Sequence, residues 1–244
     1  MDFVKGEIIA IDKPRGMTSF GALARVRGAI SRHLGVRKTK IGHAGTLDPL
    51  ATGVLVLCTG KATKRIEELQ GLSKEYVATL QLGATTPSYD CEHAVDATFP
   101  TAHITLEAIA AVVDGFVGDI MQVPPAFSAC KVGGTRAYDL SRKGRDVELA
   151  PKAIHIESIE ILLFDSATMQ LSLRVVCGKG TYIRALARDI GHALGSGAYL
   201  LSLRRTRVGD ITEDRCLRLE DVPQWLKDND NTTKQNKEDE TITV

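Results

Sequence analysis

The segment most able to do chemistry is Gly42-His43-Ala44-Gly45-Thr46-Leu47-Asp48-Pro49-Leu50-Ala51-Thr52-Gly53. Its three glycines permit positive φ and close approach of a ligand to the backbone. Pro49 fixes its own φ and biases Asp48 away from the α region. One carboxylate is thus carried on a stiff turn just before an apolar run, Val54-Leu55-Val56-Leu57. Two readings follow. Asp48 is a positioned catalytic acid, or it closes an Asx-turn by bonding nearby backbone amides.

Other residues could serve such a site. Arg184 and Arg188, four apart on an amphipathic stretch, share a face away from the stripe Ile183, Leu186, Ala187, Ile190 and Leu194. Arg184 is therefore either a surface residue or a charge partner for a carboxylate. Tyr76 lies in phase with Ala78, Leu80 and Leu82, so it reads as core, as an aromatic platform, or as both. The five cysteines are scattered singly with no C-x-x-C pair, which speaks against zinc and against a disulfide framework, and fits a reducing cytoplasm.

The net charge of +1 is unevenly placed. Residues 1–75 carry a net +6, 76–130 a net −6, 166–209 a net +6 and 210–244 a net −5. The two basic blocks form one phosphate-binding face or two ordinary solvated surfaces. No apolar run approaches the roughly 18 residues needed to span a bilayer. The N-terminal Met1–Glu7 has no basic stretch followed by an apolar one, so no signal peptide is expected.

Positioning these residues requires a scaffold, and the hydropathy pattern supplies one. Ile8–Ile11 and Val54–Leu57 read as buried strands, Tyr76–Leu82 as a half-buried strand, Ala153–Phe164 with Met169–Cys177 as an antiparallel pair, and Tyr199–Leu203 as a further strand. Phe20, Leu23, Val26, Ile30 and Leu34 predict a helix capped by Thr18 or Ser19 and ended by Gly35. Further helices are expected over Lys61–Leu69, after Thr105 (Leu106, Ile109, Val112, Val113, Phe116) and after Gly180. Lys131–Gly144 reads as a mobile basic loop with a short helix, and the polar chain after Trp225 as disordered. Strands and helices do not alternate regularly, so the fold class is α+β with a largely antiparallel sheet.

The twelve-residue segment around Asp48 resembles the signature of the TruB family of pseudouridine synthases. Asp12-Lys13-Pro14 with Gly16-Met17-Thr18-Ser19, Lys74-Glu75-Tyr76, Lys179-Gly180-Thr181-Tyr182-Ile183-Arg184, and Gly195–Ala198 through Leu203-Arg204-Arg205 are similar to further motifs of that family, in the same order. The resemblance spans about residues 7–210. It implies the pseudouridine-synthase fold, a mixed, largely antiparallel central sheet flanked by helices. It also implies isomerisation of uridine to pseudouridine at position 55 in the T-loop of tRNA.

On this resemblance Asp48 is the catalytic carboxylate, as nucleophile or as base. Arg184 pairs with it, and Tyr76 stacks on the base and accepts the C5 proton. His43 stacks in the RNA loop to hold it open, Tyr182 supports the aspartate region, and Ile183 and Leu203 wall the pocket. Lys13, Lys64, Lys131, Arg136, Arg142 and Lys143 are candidate phosphate contacts. The reaction needs no cofactor and no metal. The partner is the tRNA T-arm; no membrane and no protein partner is required, and a cytoplasmic monomer is expected.

The expected organisation is a catalytic domain over 1–210, a short extension over 211–226 without a complete C-terminal PUA domain, and an acidic disordered tail over 227–244. The segment Gly83–His93 departs from the family's threonine-aspartate-glycine pattern: Asp90 matches, whereas Pro87 and His93 do not. Two alternatives accompany the main reading, a tRNA-folding chaperone acting without catalysis and a guide-dependent rRNA pseudouridine synthase.

Overall fold

The computed structural model describes residues 1–127, 131–132, 135–136 and 149–229. These form two compact units: residues 1–72 with the described residues from Arg205 onward, and Ser73–Arg204. In chain order the strands are β1 (Ile8–Lys13), β2 (Ile41–His43), β3 (Thr52–Thr59), β4 (Lys74–Leu82), β5 (Ala84–Thr85), β6 (Ala97–Thr98), β7 (Gly118–Gln122), β8 (Lys131–Val132), β9 (Thr135–Arg136), β10 (Lys152–Asp165), β11 (Gln170–Cys177), β12 (Ala198–Val208), β13 (Ile211–Thr212) and β14 (Leu217–Arg218). The helices are α1 (Ser19–His33), α2 (Ile66–Gly71), α3 (Leu106–Asp114) and α4 (Ile183–Ala193), with another helical stretch over 222–229.

In the first unit β3 is the organising strand. It pairs antiparallel with β1, Ile9 opposite Leu57 and Ile11 opposite Leu55, and with β2, His43 opposite Leu57. β14 adds to β1 in parallel, so the pairing is mixed. β3 is apolar at nearly every position because both its faces are covered, which removes the usual alternation. Leu55 and Leu57 join Leu23, Val26, Ile30, Val222 and Leu226 in one core cluster. Val54, Val56 and Cys58 join Ala44, Leu69 and Val208 in another. Burial of each Leu, Ile or Val side chain among them contributes about 1.5–3 kcal/mol.

Thr18, not Ser19, caps α1: its Oγ1 accepts from the Gly21 amide at 2.9 Å. The buried stripe is Ala22, Leu23, Val26, Ala29 and Ile30. Phe20, expected in that stripe, is 63% exposed and faces the Arg27 guanidinium at 5.8 Å. Alanines 22 and 29 draw the stripe's centre away from it, so Phe20 falls outside the core face. The helix expected over Lys61–Leu69 is a 3-10 turn (Gly60–Arg65) running into α2.

In the second unit β4, β11, β10 and β7 pair antiparallel throughout, with Tyr76 opposite Val175, Ala78 opposite Leu173, and Ile154 opposite Ile120. Tyr76, Ala78, Leu80 and Leu82 are all buried, as their alternation requires. The predicted stripe of α4, Ile183 to Leu194, is buried too, and α4 packs against β4 and α3. Thr105 caps α3 by accepting from the Ala108 amide. Ile109 and Val113 are buried, whereas Leu106, expected with them, is exposed.

The fold is α+β, with mixed but largely antiparallel strand pairing and helices against the strands. Apart from β8 and β9, the loop expected over Lys131–Gly144 lies outside the described residues. So do the side chains of Lys131, Arg136, Arg142 and Lys143 and the tail from residue 230. No helix among the described residues is long and apolar enough to cross a membrane.

Candidate active site

Asp48 is half-buried on the loop that joins β2 to β3 in the first unit. Its neighbours are held from several directions. The buried Ser19, at the start of α1, accepts from the Leu47 amide at 2.8 Å and donates to the Leu47 carbonyl at 2.9 Å. The Pro49 carbonyl accepts from the Gly16 amide at 2.8 Å and from Lys13 Nζ at 3.3 Å. The Ala51 amide closes the turn onto the Asp48 carbonyl at 3.1 Å. The residues on both sides of the carboxylate are thus tied to the end of β1 and the start of α1. Such placement suits a reacting group, whose geometry sets much of its rate.

Arg205 bridges the two ends of this loop. It is buried, with Nε donating to the Val54 carbonyl at 2.7 Å and Nη2 to the Gly45 carbonyl at 3.1 Å. Gly53 passes so close that a Cβ there would sit 2.2 Å from the Arg205 carbonyl oxygen, and its φ is +96°. In the sequence this arginine stands only as the last residue of a family motif, with nothing to mark it as buried against the Asp48 loop. The buried face of β12 moves from Ala198 and Leu200 to Arg205 and then Val208, a slip of phase that simple alternation does not anticipate.

Lys13, expected among the phosphate contacts, is fully buried. Its ammonium donates to the carbonyls of Pro14 (3.0 Å), Met17 (2.7 Å) and Pro49. Burial pushes its pKa down to about 8, with the Asp48 charge opposing the shift and the Arg205 charge adding to it. Burial, and then the Arg205 charge, also lowers the His43 pKa. The His43 ring is therefore neutral at neutral pH, and its buried Nδ1 has no hydrogen-bond partner among the described residues. Lys64 is exposed on the 3-10 turn.

Tyr76, Tyr182, Ile183, Arg184 and Leu203 belong to the second unit. Tyr76 and Ile183 are buried; Tyr182 and Leu203 are half-buried. Arg184, whose helical phase allowed a surface position, is buried in the first turn of α4. Nη1 donates to the Ser88 carbonyl at 3.0 Å and Nη2 to the Phe127 carbonyl at 2.8 Å, and Nε lies 3.6 Å from Asp90 Oδ2. Within this unit the guanidinium therefore has a carboxylate partner, Asp90. Gln122, on β7, fixes the entry to α4: its amide oxygen accepts from the Tyr182 amide at 2.9 Å and its nitrogen donates to the Tyr182 carbonyl at 3.2 Å. Gln122 carried no signal in the sequence, and Ser19 only that of a helix-cap candidate within a family motif, because both act on backbone brought close only by folding.

Fold and loop together are those of a pseudouridine synthase. The chain belongs to the TruB family: residues 32–183 match the model of the TruB family pseudouridylate synthase N-terminal domain, and residues 184–241 that of the tRNA pseudouridylate synthase B C-terminal domain. A tRNA pseudouridine synthase B of Phocaeicola vulgatus is 59% identical over 226 residues, 93% of this chain and 95% of the relative. One of Mycobacterium leprae is 47% identical, over 89% of this chain and 68% of its own length. A crystal structure of a Cbf5–Nop10–Gar1 complex is similar with a TM-score of 0.66 at 31% identity, over 91% of this chain and 54% of that one. This chain thus spans about half the length of that solved relative.

Proposed function

We propose that this protein converts uridine to pseudouridine at position 55 in the T-loop of tRNA. The observation that carries the reading is the clamped loop of Asp48. It fixes a single carboxylate within the family's signature, in a chain whose near full-length relatives bear the name tRNA pseudouridine synthase B.

In the reaction the N1–C1′ bond breaks, the uracil turns, and C5 bonds to C1′ while N1 gains a proton and C5 loses one. The Asp48 carboxylate drives cleavage, as nucleophile at the sugar or as base beside it. Tyr76 stacks on the base and takes the C5 proton. Arg184 supplies the positive charge that keeps the catalytic carboxylate ionised. Tyr182, Ile183 and Leu203 shape the base pocket, and the neutral ring of His43 stacks in the opened loop.

Extruding the nucleotide costs on the order of a few kcal/mol, which stacking and phosphate contacts offset. In this reading tRNA is the partner required, no cofactor takes part, and the working unit is a monomer in the cytoplasm.

The test is to incubate the protein with an unmodified tRNA transcript and map pseudouridine by position. Product is expected at the T-loop uridine alone. Asp48→Asn is expected to abolish it while tRNA affinity stays within a few-fold. Product in the anticodon arm would overturn the positional assignment, and full turnover by Asp48→Asn would overturn the catalytic one.

A further inference from the structure

The hydrogen bonds of the turn over residues 86–90 converge on Arg184. Thr86, Ser88 and Asp90 are all buried, Ser88 completely. Ser88 Oγ donates to Asp90 Oδ1 at 2.6 Å, and the Glu92 amide donates to the same oxygen at 2.9 Å. That leaves Oδ2 for Arg184 Nε, 3.6 Å away. The Ser88 carbonyl accepts from Arg184 Nη1 at 3.0 Å. Ser88 therefore acts on the guanidinium twice, directly through its carbonyl and indirectly through the carboxylate its hydroxyl orients.

Between them Tyr89 has a φ of +58°, the left-handed region that side chains with a Cβ disfavour. The surroundings hold it there. The Tyr89 amide donates to the Thr86 carbonyl at 3.1 Å, its carbonyl accepts from the Leu200 amide at 3.0 Å, and its ring lies 5.2 Å from the Arg188 guanidinium carbon. Strained backbone of this kind persists where the rest of the fold over-determines it. Here it brings the Ser88 carbonyl and the Asp90 carboxylate to the same guanidinium.

We propose that Ser88 is a positioning residue for the isomerisation: its hydroxyl sets the Asp90 carboxylate, and carboxylate and carbonyl together fix the Arg184 guanidinium. The proposal rests on the assignment of Arg184 to catalysis. A carboxylate stripped of the Ser88 donor keeps only the Glu92 amide on Oδ1 and can turn about its terminal torsion. Arg184 is then held less firmly, with no change in the surface that meets tRNA.

The experiment is single-turnover pseudouridine formation on an unmodified tRNA transcript by the full chain, with KM and Tm measured alongside. Ser88→Ala is expected to slow the reaction roughly 10- to 100-fold with KM nearly unchanged, the range that misplacing one supporting group produces. Ser88→Thr keeps the hydroxyl and is expected to restore the rate to within about 3-fold. Thr86→Val removes a 2.7 Å bond to the Asp90 carbonyl, not to its carboxylate, and is expected to lower Tm with little effect on rate. In an Asp90→Asn background the Ser88→Ala change is expected to add less than about 2-fold, since groups acting as a unit are not additive.

Ser88→Cys keeps the volume with a weaker donor and carries the same comparison should the alanine variant not fold. A wild-type rate for Ser88→Ala beside an inactive Arg184→Ala would overturn this proposal and leave the Arg184 assignment standing. Equal losses in Ser88→Ala and Ser88→Thr that simply follow Tm would overturn it as well. A wild-type rate for Arg184→Ala would instead remove the assignment beneath it.

Discussion

Ser19 and Leu47 exchange a reciprocal pair of hydrogen bonds, 2.8 Å from the Leu47 amide and 2.9 Å to its carbonyl, across 28 residues of sequence. Ser19→Ala strands both backbone groups of the residue before Asp48 in a buried place. Each unsatisfied group costs about 1–3 kcal/mol, so a loss of about 2–6 kcal/mol in stability is expected. The loop should also loosen around its carboxylate. A fall of roughly tenfold or more in kcat, with tRNA affinity unchanged, is expected from single-turnover kinetics at a temperature where the variant is folded. A variant that loses stability alone would show that Asp48 is placed by other contacts.

Lys13 gives a prediction in pH. In the unfolded chain the amine keeps its proton up to about 10.5, whereas in the fold it gives it up near 8. Between those values the unfolded state binds more protons, so stability attributable to this residue rises with pH. The cost of burying the charge is fully present below pH 8 and is relieved toward pH 10.5. Lys13→Met should destabilise at every pH because three carbonyls lose their donor. The gap between wild type and variant should widen from pH 8 to 10 by no more than about 3 kcal/mol. Denaturant unfolding of both proteins across that range measures it; a gap that stays constant would show that Lys13 remains charged in the fold.

How far the sequence revealed this protein depends on whether a residue's partner was near it in the chain. The strand of Tyr76, Ala78, Leu80 and Leu82 and the stripe of α4 were legible because periodicity is local. The loop of Asp48 was legible because its glycines permit, and its proline restricts, backbone conformation locally. Arg184 was legible as a motif residue but not as a buried one, since phase on a helix says nothing of what covers that face. Its contact with Asp90 joins positions 94 residues apart, and the Arg205 bridge to Gly45 spans 160. Phe20 failed in the opposite sense, being apolar and at helical spacing yet outside the stripe that the small alanines define.

Gln122 should matter to catalysis without meeting any substrate. Its amide group satisfies both the N–H and the carbonyl of Tyr182, the residue that enters α4 immediately before Ile183 and Arg184. Gln122→Leu keeps most of the volume and removes both bonds, so a loss of about 1–3 kcal/mol is expected. Amide exchange at the first turn of α4 should quicken more than exchange in β11. Gln122→Glu retains the acceptor for the Tyr182 amide and places a charge against the Tyr182 carbonyl, and it should be worse than Gln122→Leu. If Leu and Glu variants exchange like wild type, the entry to α4 is fixed elsewhere.

Two glycines with similar backbone angles should respond very differently to alanine. Gly16 has a φ of +79° and nothing within 4 Å of where a Cβ would stand. Gly16→Ala therefore costs only the left-handed backbone, about 1–2 kcal/mol. Gly53 has a φ of +96°, and its Cβ would stand 2.2 Å from the Arg205 carbonyl oxygen and 3.0 Å from the Arg205 amide nitrogen. Both atoms are backbone and cannot swing aside as a side chain would. Relief requires β3 and the Arg205 strand to part, which would also lengthen the bonds from the Arg205 guanidinium to Val54 and Gly45. Gly53→Ala should therefore cost about 4 kcal/mol or more, in the range reached only by such specific clashes. Activity should disappear with it, because the loop bearing Asp48 loses its anchor at the β3 end. Thermal unfolding of the two variants in parallel decides the matter: equal shifts in Tm would mean that strain in φ, and not the close approach to Arg205, is why position 53 requires glycine.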